Sequence, residues 1–342
     1  MLCFALPLAP AAETPALLAL SFWPVLTADP DGLWPKAAPL VWVAAGWSAA
    51  WPWRGEPAHL MTLVDLALVG PILALGMARD QPRRLQESLL LGGLTAAAAA
   101  VLQILLGLAT PAHWVGYTWP WGRAYGTMGN PNVLAAYCAG VAPLTLTVAW
   151  PRYLRRLSLA LLGAACLLTA SRGGWFAGAA GLMVILYFHR PRVLPVLLLF
   201  GLAAAILPWT PGDRLLAALD GTDPTVAARI DIWWLALRAW AAKPLAGWGM
   251  SPPLPGSHPH NLLLEIAVHG GLLALAGFVP LIVFGVRTAM RGPRTPAAAA
   301  AMATLASLFV FGFADAFLTH PALASLFWLN WGILIAEGEP LS

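Results

Sequence analysis

The sequence predicts an all-α fold: a polytopic transmembrane helical bundle of about 10–12 spans, with one long extracytoplasmic loop containing an amphipathic helix. Three observations predict it. Of the 342 residues, 60% are hydrophobic and only 10% charged, against about 25% charged in an ordinary soluble domain. The apolar residues fall in long runs broken by short polar connections. Arginines recur in alternate connections, the pattern expected when one side of a membrane retains positive charge. A soluble fold of this composition would expose large apolar patches to water, whereas a bilayer accepts them. The net charge of +4 is scattered rather than gathered into a reading surface, which excludes nucleic acid as a partner and leaves membrane lipids as the surroundings.

A helix crosses the hydrocarbon core with about 20 apolar residues. Apolar runs lie near 3–27, 37–53, 60–78, 86–108, 131–150, 157–171, 174–188, 193–209, 261–286, 297–317 and 321–336. The first is interrupted by Pro7, Pro10, Glu13 and Pro15 and reads as split or re-entrant. It has no basic n-region, so it reads as structural and not as a cleaved signal. The alanine runs 96–100 and 297–301 are helix formers inside spans. No internal repeat is legible.

Arg79, Arg83, Arg84, Arg152, Arg155, Arg156, Arg190, Arg192, Arg287, Arg291, Arg294 and Lys36 fall on one side, assigned as cytoplasmic. Arg54, Arg123, Arg172, Arg214, Arg229, Arg238 and Lys243 fall on the other. Trp51, Trp53, Trp150, Trp209 and Trp331 sit near span ends, where indoles favour the interface. Trp114, Trp119 and Trp121 lie in an outer loop, as interface anchors or as stacking platforms for sugar rings. Cys3, Cys138 and Cys166 are far apart in apolar runs and read as packing residues.

Four outer-face segments stand out. Gly126–Asn132 precedes a span; Asn130 suits an N-cap and Pro131 the first helical position. Its start is either a well-capped helix or, with Asn132, an anion site. Ser171-Arg172-Gly173-Gly174 places a guanidinium near membrane depth, where it either snorkels to headgroups or grips an anion such as pyrophosphate. The stretch 225–241 has apolar residues at helical spacing and carries Arg229, Asp231 and Arg238; Pro244 and Gly247 end it. His258-Pro259-His260-Asn261 opens the next span, with Glu265 one turn on. His260 is the better acid–base candidate. Two histidines at i and i+2 make poor zinc spacing, and no third ligand is apparent beside them, so no metal is expected.

Taken in order, GTMGNPN at 126–132, LTASRGGW at 168–175, R-x-x-x-W at 229–233, KPLAGWG at 243–249 and HPHNLLLE at 258–265 resemble the O-antigen ligase superfamily of bacterial envelope glycosyltransferases. That superfamily also includes O-antigen polymerases and protein O-oligosaccharyltransferases. The run from Asp315 to Pro321 is similar as well. Where many relatives have an acidic-Thr-Gly turn, this chain has Val268-His269-Gly270-Gly271.

The resemblance implies an inverting, metal-independent transferase without cofactor, in the bacterial cytoplasmic (inner) membrane, with its site on the extracytoplasmic face. Its donor would be a glycan on undecaprenyl pyrophosphate. Its acceptor would be a lipid A-core sugar, a growing glycan or a protein hydroxyl. By motif, Arg172 and Arg229 would bind the pyrophosphate, with Arg123 as a weaker match, and His260 would be catalytic. His258, Asn130, Asn132, Asn261 and Glu265 would be secondary. Residues 1–342 then form one transmembrane domain whose 210–260 loop contributes to the active site. The absence of a legible extramembrane domain favours a ligase over a polymerase. A rival of another class is a lipid-linked glycan transporter, but polar groups gather near one face and no repeat is legible. Asp231 and Glu265 are available as nucleophiles, although nothing points to either in that role. Asp65 and Asp315 are expected to pair within the bundle, and Asp213, Asp220 and Asp223 to be solvated.

Overall fold

A computed structural model describes residues 82–108, 122–189, 220, 224–249, 253–254, 258–292 and 295–337. The expected runs at 3–27, 37–53, 60–78 and 193–209 lie outside the described residues, as do Asp65, Asp213, Asp223, Cys3 and Trp51, Trp53, Trp114, Trp119, Trp121 and Trp209. Among the described residues the fold is helical, with no strand. Eight α-helices follow in order: α1 Pro82–Leu105, α2 Pro131–Val141, α3 Arg152–Leu168, α4 Arg172–His189, α5 Pro224–Ala242, α6 Leu262–Arg291, α7 Pro296–Gly312 and α8 Pro321–Glu337. Among the described residues two stretches, Pro82–Leu105 and Leu262–Arg287, are long and apolar enough to cross a membrane. Shorter apolar helices start at Pro131, Arg172, Pro296 and Ala322.

Several boundaries depart from the apolar runs. The run 131–150 is not one helix: α2 stops at Val141 and a 3-10 turn, Ala142–Leu146, follows. Pro143 supplies no N–H to the α-helical ladder, and the chain tightens there. The run 297–317 ends early at Gly312, leaving Asp315 in a connection capped by the short 3-10 turn Phe317–Thr319.

The core forms around α7, which packs against α4, α2 and α8. Its alanine run, Ala297–Ala301, is entirely buried. Small residues let backbones approach closely here, as in membrane helix interfaces. A Cβ on Gly174 of α4 would lie only 2.3 Å from the Cβ of Ala135 in α2. Thr304 of α7 donates to the Gly140 carbonyl of α2 at 2.7 Å. Cys138 and Cys166 are buried and free. Gln86 of α1 donates to the Ala297 carbonyl at 2.9 Å, which satisfies a polar group in the apolar core. Trp331 departs from the expected interface position. It is only 2% exposed, stacked against Phe327 with centroids 6.1 Å apart, because α8 faces the core along that side. Trp150 is half-buried and donates to Glu87 at 2.7 Å.

The most consequential feature is a break in α6 at Gly271, whose backbone sits at φ 63°, ψ −159°. Breaking a helix frees backbone groups, which must find partners. The segment 243–249 supplies them. Trp248 and Gly249 N–H donate to the Val268 and His269 carbonyls at 2.8 and 2.9 Å. Leu272 and Leu273 N–H donate to the Pro244 and Leu245 carbonyls at 2.8 and 3.1 Å. One helical turn is thus opened and re-bonded on both sides by the chain that follows α5. Ala236 and Ala239 of α5 and Val268 of α6 close a small apolar cluster over the junction.

At Gly271 a Cβ would meet the Leu245 carbonyl oxygen at 2.3 Å, in a backbone region almost restricted to glycine. Gly271→Ala should therefore lower stability by about 1–3 kcal/mol or more. Gly163→Ala, where nothing lies within 4 Å of the new methyl in α3, should be neutral or stabilising by up to about 1 kcal/mol. Thermal unfolding of both variants in detergent checks the contrast.

Candidate functional site

The site forms where three segments meet: the loop 258–261 ahead of α6, the connection 313–320 between α7 and α8, and the middle of α5. His260 has φ 50°, a left-handed backbone uncommon for a residue with a side chain. That turn directs its ring at the connection. His260 Nδ1 lies 3.0 Å from Asp315 Oδ1. An ionised carboxylate only accepts, so Nδ1 donates. In the neutral ring this leaves Nε2 as the nitrogen with a lone pair.

Asp315 is 6% exposed and also accepts from the Ala316 N–H at 2.9 Å. Burial alone would push its carboxyl up. The His260 hydrogen bond and the charges of His260, His320 and Arg229 outweigh burial and hold it below the ordinary carboxylate range. The same balance places Arg229 within electrostatic reach of Asp315. One turn on from Arg229, Trp233 donates from its indole N–H to the Pro259 carbonyl at 2.9 Å, which ties α5 to the histidine loop. Asp231 is exposed on α5, and Asp220 is exposed in the chain before it.

Arg172 is the first residue of α4. Ser171 is buried, and its Oγ accepts from the Gly174 N–H at 3.4 Å as an N-cap. Ala170, just before it, is a second non-glycine residue with positive φ, at 52°. A Cβ on Gly173 would stand 2.9 Å from that of Ala314, so the start of α4 abuts the residue preceding Asp315. The backbones carrying Arg172, His260 and Asp315 therefore converge.

Arg123 and Asn132 are bonded to each other. Arg123 is 4% exposed; its Nε donates to the Thr169 carbonyl and its Nη2 to Asn132 Oδ1, each at 2.7 Å. This brace joins the chain before α2 to the end of α3, three residues ahead of Arg172. Asn130 is the N-cap of α2 and accepts from the Asn132 N–H at 2.8 Å. Asn261 caps α6, its Oδ1 accepting from the Leu263 and Leu264 N–H groups at 3.1 Å.

Glu265 is buried between two histidines. His258 Nδ1 lies 2.7 Å and His269 Nε2 3.2 Å from its Oε1. The hydrogen bond to Glu265 raises the His258 pKa above its ordinary value despite partial burial. Sequence spacing offered no third ligand beside His258 and His260. In the fold Glu265 and His269, one turn apart on α6, meet His258, and their ligand atoms all lie within 4.8 Å of one another.

Sequence reasoning placed Asp315 in structural pairing and did not connect it with His260. It did not single out His320 at all. The available signal was an acid and a histidine five residues apart around a Phe-rich turn, ending at Pro321. Their partner, His260, lies 55 residues upstream, so only the fold reveals the contact.

Residues 157–279 match a family model described as O-antigen ligase. The chain is 28% identical over 288 residues to a protein of Pseudomonas aeruginosa named O-antigen ligase, covering 76% of this chain. The chain spans 66% of that relative's length.

Burial pushes the His320 imidazole below its ordinary value of 6.5, with Asp315 opposing in part. Between 6.5 and that lowered value the unfolded chain binds a proton that the folded chain does not, so stability rises with pH. Acidification below about pH 6.5 should therefore lower the unfolding temperature, and His320→Gln should remove that loss. His258 does not mask it, because a raised pKa withdraws stability only above 6.5. Unfolding temperature against pH for both proteins is the check.

Proposed function

Because the chain belongs to the O-antigen ligase superfamily, we propose that it transfers a glycan from undecaprenyl pyrophosphate to an acceptor hydroxyl at the extracytoplasmic face of the bacterial inner membrane, through which its helices would pass several times. The observation that carries this reading is His260, held through Nδ1 by buried Asp315 at 3.0 Å with Arg229 in electrostatic reach.

The chemistry follows from that arrangement. The acceptor oxygen attacks the anomeric carbon while its proton passes to His260 Nε2. The bond from the anomeric carbon to the pyrophosphate oxygen breaks on the opposite face, so configuration inverts. The departing pyrophosphate gathers negative charge. Arg229 and Arg172 are the groups to receive it, the latter at the positive end of the α4 dipole. An anionic ligand at that helix start would be favoured by the dipole. Arg123 would support this pocket through its brace on Thr169 and Asn132. Asp315 would act as a positioning residue, fixing the His260 tautomer and stabilising the ring once protonated.

A lipid A-core sugar is the acceptor favoured here. Purified protein given a lipid-pyrophosphate oligosaccharide with separate acceptors (lipid A-core, a second lipid-linked glycan, a protein) tests this by mass spectrometry of the products. Product on the glycan or the protein alone would move the reading to polymerisation or protein glycosylation. Arg172→Ala and Arg229→Ala should each lower turnover by at least about 10²-fold with the protein still inserted and folded. Normal turnover in both would remove the pyrophosphate clamp.

A further inference from the structure

We propose that His258, Glu265 and His269 form a binding site for one divalent transition-metal ion, zinc by preference, which braces the 258–261 loop onto α6. The ion would take no part in the transfer chemistry itself, and the proposal does not rest on that reading.

His269 is buried, and its Nδ1 contacts the Gly249 carbonyl. A carbonyl only accepts, so Nδ1 carries a hydrogen. His269 Nε2 then faces Glu265 Oε1 at 3.2 Å. With a neutral ring this opposes two lone pairs in a buried place, which is repulsive. A proton or a metal cation must lie between them.

Three features favour the metal cation. First, a third donor converges on the same point: His258 Nδ1, 2.7 Å from Glu265 Oε1. Second, Glu265 is 1% exposed, yet its Oε2 has no hydrogen-bond partner among the described residues. A buried carboxylate oxygen left unsatisfied is costly, and coordination of an ion by the carboxylate would offset that cost. Third, the contact of His269 Nδ1 with a backbone carbonyl is the outer contact that orients metal-binding histidines. The carbonyl is itself held in place, because Gly249 N–H donates to the His269 carbonyl at 2.9 Å across the open turn of α6.

The spacing also fits. Donors about 2.05 Å from a tetrahedral ion stand about 3.3 Å apart. The His269–Glu265 distance of 3.2 Å matches this, the His258–Glu265 distance of 2.7 Å needs to open by roughly half an ångström, and the two imidazole donors, within 4.8 Å of each other, need to draw together as the loop closes on the ion. His258 is the accessible member, its side chain 43% exposed, which gives an ion a path in and a fourth position for water. Two imidazoles and a carboxylate suit zinc better than calcium or magnesium, which take oxygen ligands.

The test uses the full chain in detergent, purified without a histidine tag and stripped of metal. Zinc is titrated by calorimetry, and cobalt(II) by its visible absorption. One zinc per chain, a tetrahedral cobalt spectrum and a rise in unfolding temperature with zinc are expected. Glu265→Gln and His269→Gln should weaken zinc binding beyond the roughly 10–100-fold cost of losing an outer contact. Arg172→Ala should bind zinc as the wild type does even where transfer is lost, so this proposal and the transferase reading fail independently. Absence of stoichiometric binding would mean that a proton alone bridges His269 and Glu265, and would overturn the proposal. Equal binding by Glu265→Gln would overturn it too.

Discussion

A carboxylate taken out of water must be surrounded by donors and positive charge, and Asp315 sets that requirement at the centre of this molecule. It lies in the connection between α7 and α8, where the aromatic end of the core excludes solvent. Its needs are met by His260 from the α6 loop, by its neighbour's backbone N–H, and electrostatically by Arg229 from α5 and His320. Segments distant in sequence are thus held together by one charge. Removal of either member of the His260–Asp315 pair would leave the other without its partner, which is why a single hydrogen bond can govern both local order and reactivity.

The second constraint is backbone satisfaction. A histidine loop cannot be presented at a helix entrance by an uninterrupted helix alone. The break at Gly271 lets the chain after α5 bond into α6, and Trp233 of α5 is bonded to Pro259 beside His260. Irregular backbone inside an apolar bundle is tolerated where protein supplies the partners. Segment 243–249 does so with two donors and two acceptors. Lys243 over the face of Trp248, 4.0 Å from its centroid, adds a cation–π contact that fixes the same segment.

Much of this was legible in the sequence. Apolar runs located seven of the described helices, because a long run of Ala, Leu and Val has few other solutions. The helix over 225–241 was legible from its spacing, and the capping roles of Asn130 and Pro131 from side-chain chemistry. Boundaries set by single residues were harder: Pro143 cut one run short, and Gly312 another. The site was half legible. His260, Arg172 and Arg229 stood out as polar groups against an aliphatic background. Asp315 as the partner of His260, and the meeting of His258 with Glu265 and His269, depend on loop geometry that periodicity does not encode. Trp331 illustrates the same limit in reverse: a tryptophan near a span end looks interfacial until Phe327 stacks on it and α6 packs against it at Gly285.

The central claim is that His260 and Asp315 act as one unit, and a double-mutant cycle on transfer rate tests it most directly. Groups that work together are grossly non-additive, because losing either already removes their joint effect. The account requires the combined His260→Ala, Asp315→Asn protein to be scarcely slower than His260→Ala alone. If instead the two losses multiply, the carboxylate and the imidazole serve separate purposes, and the geometry described for the site does not explain its chemistry.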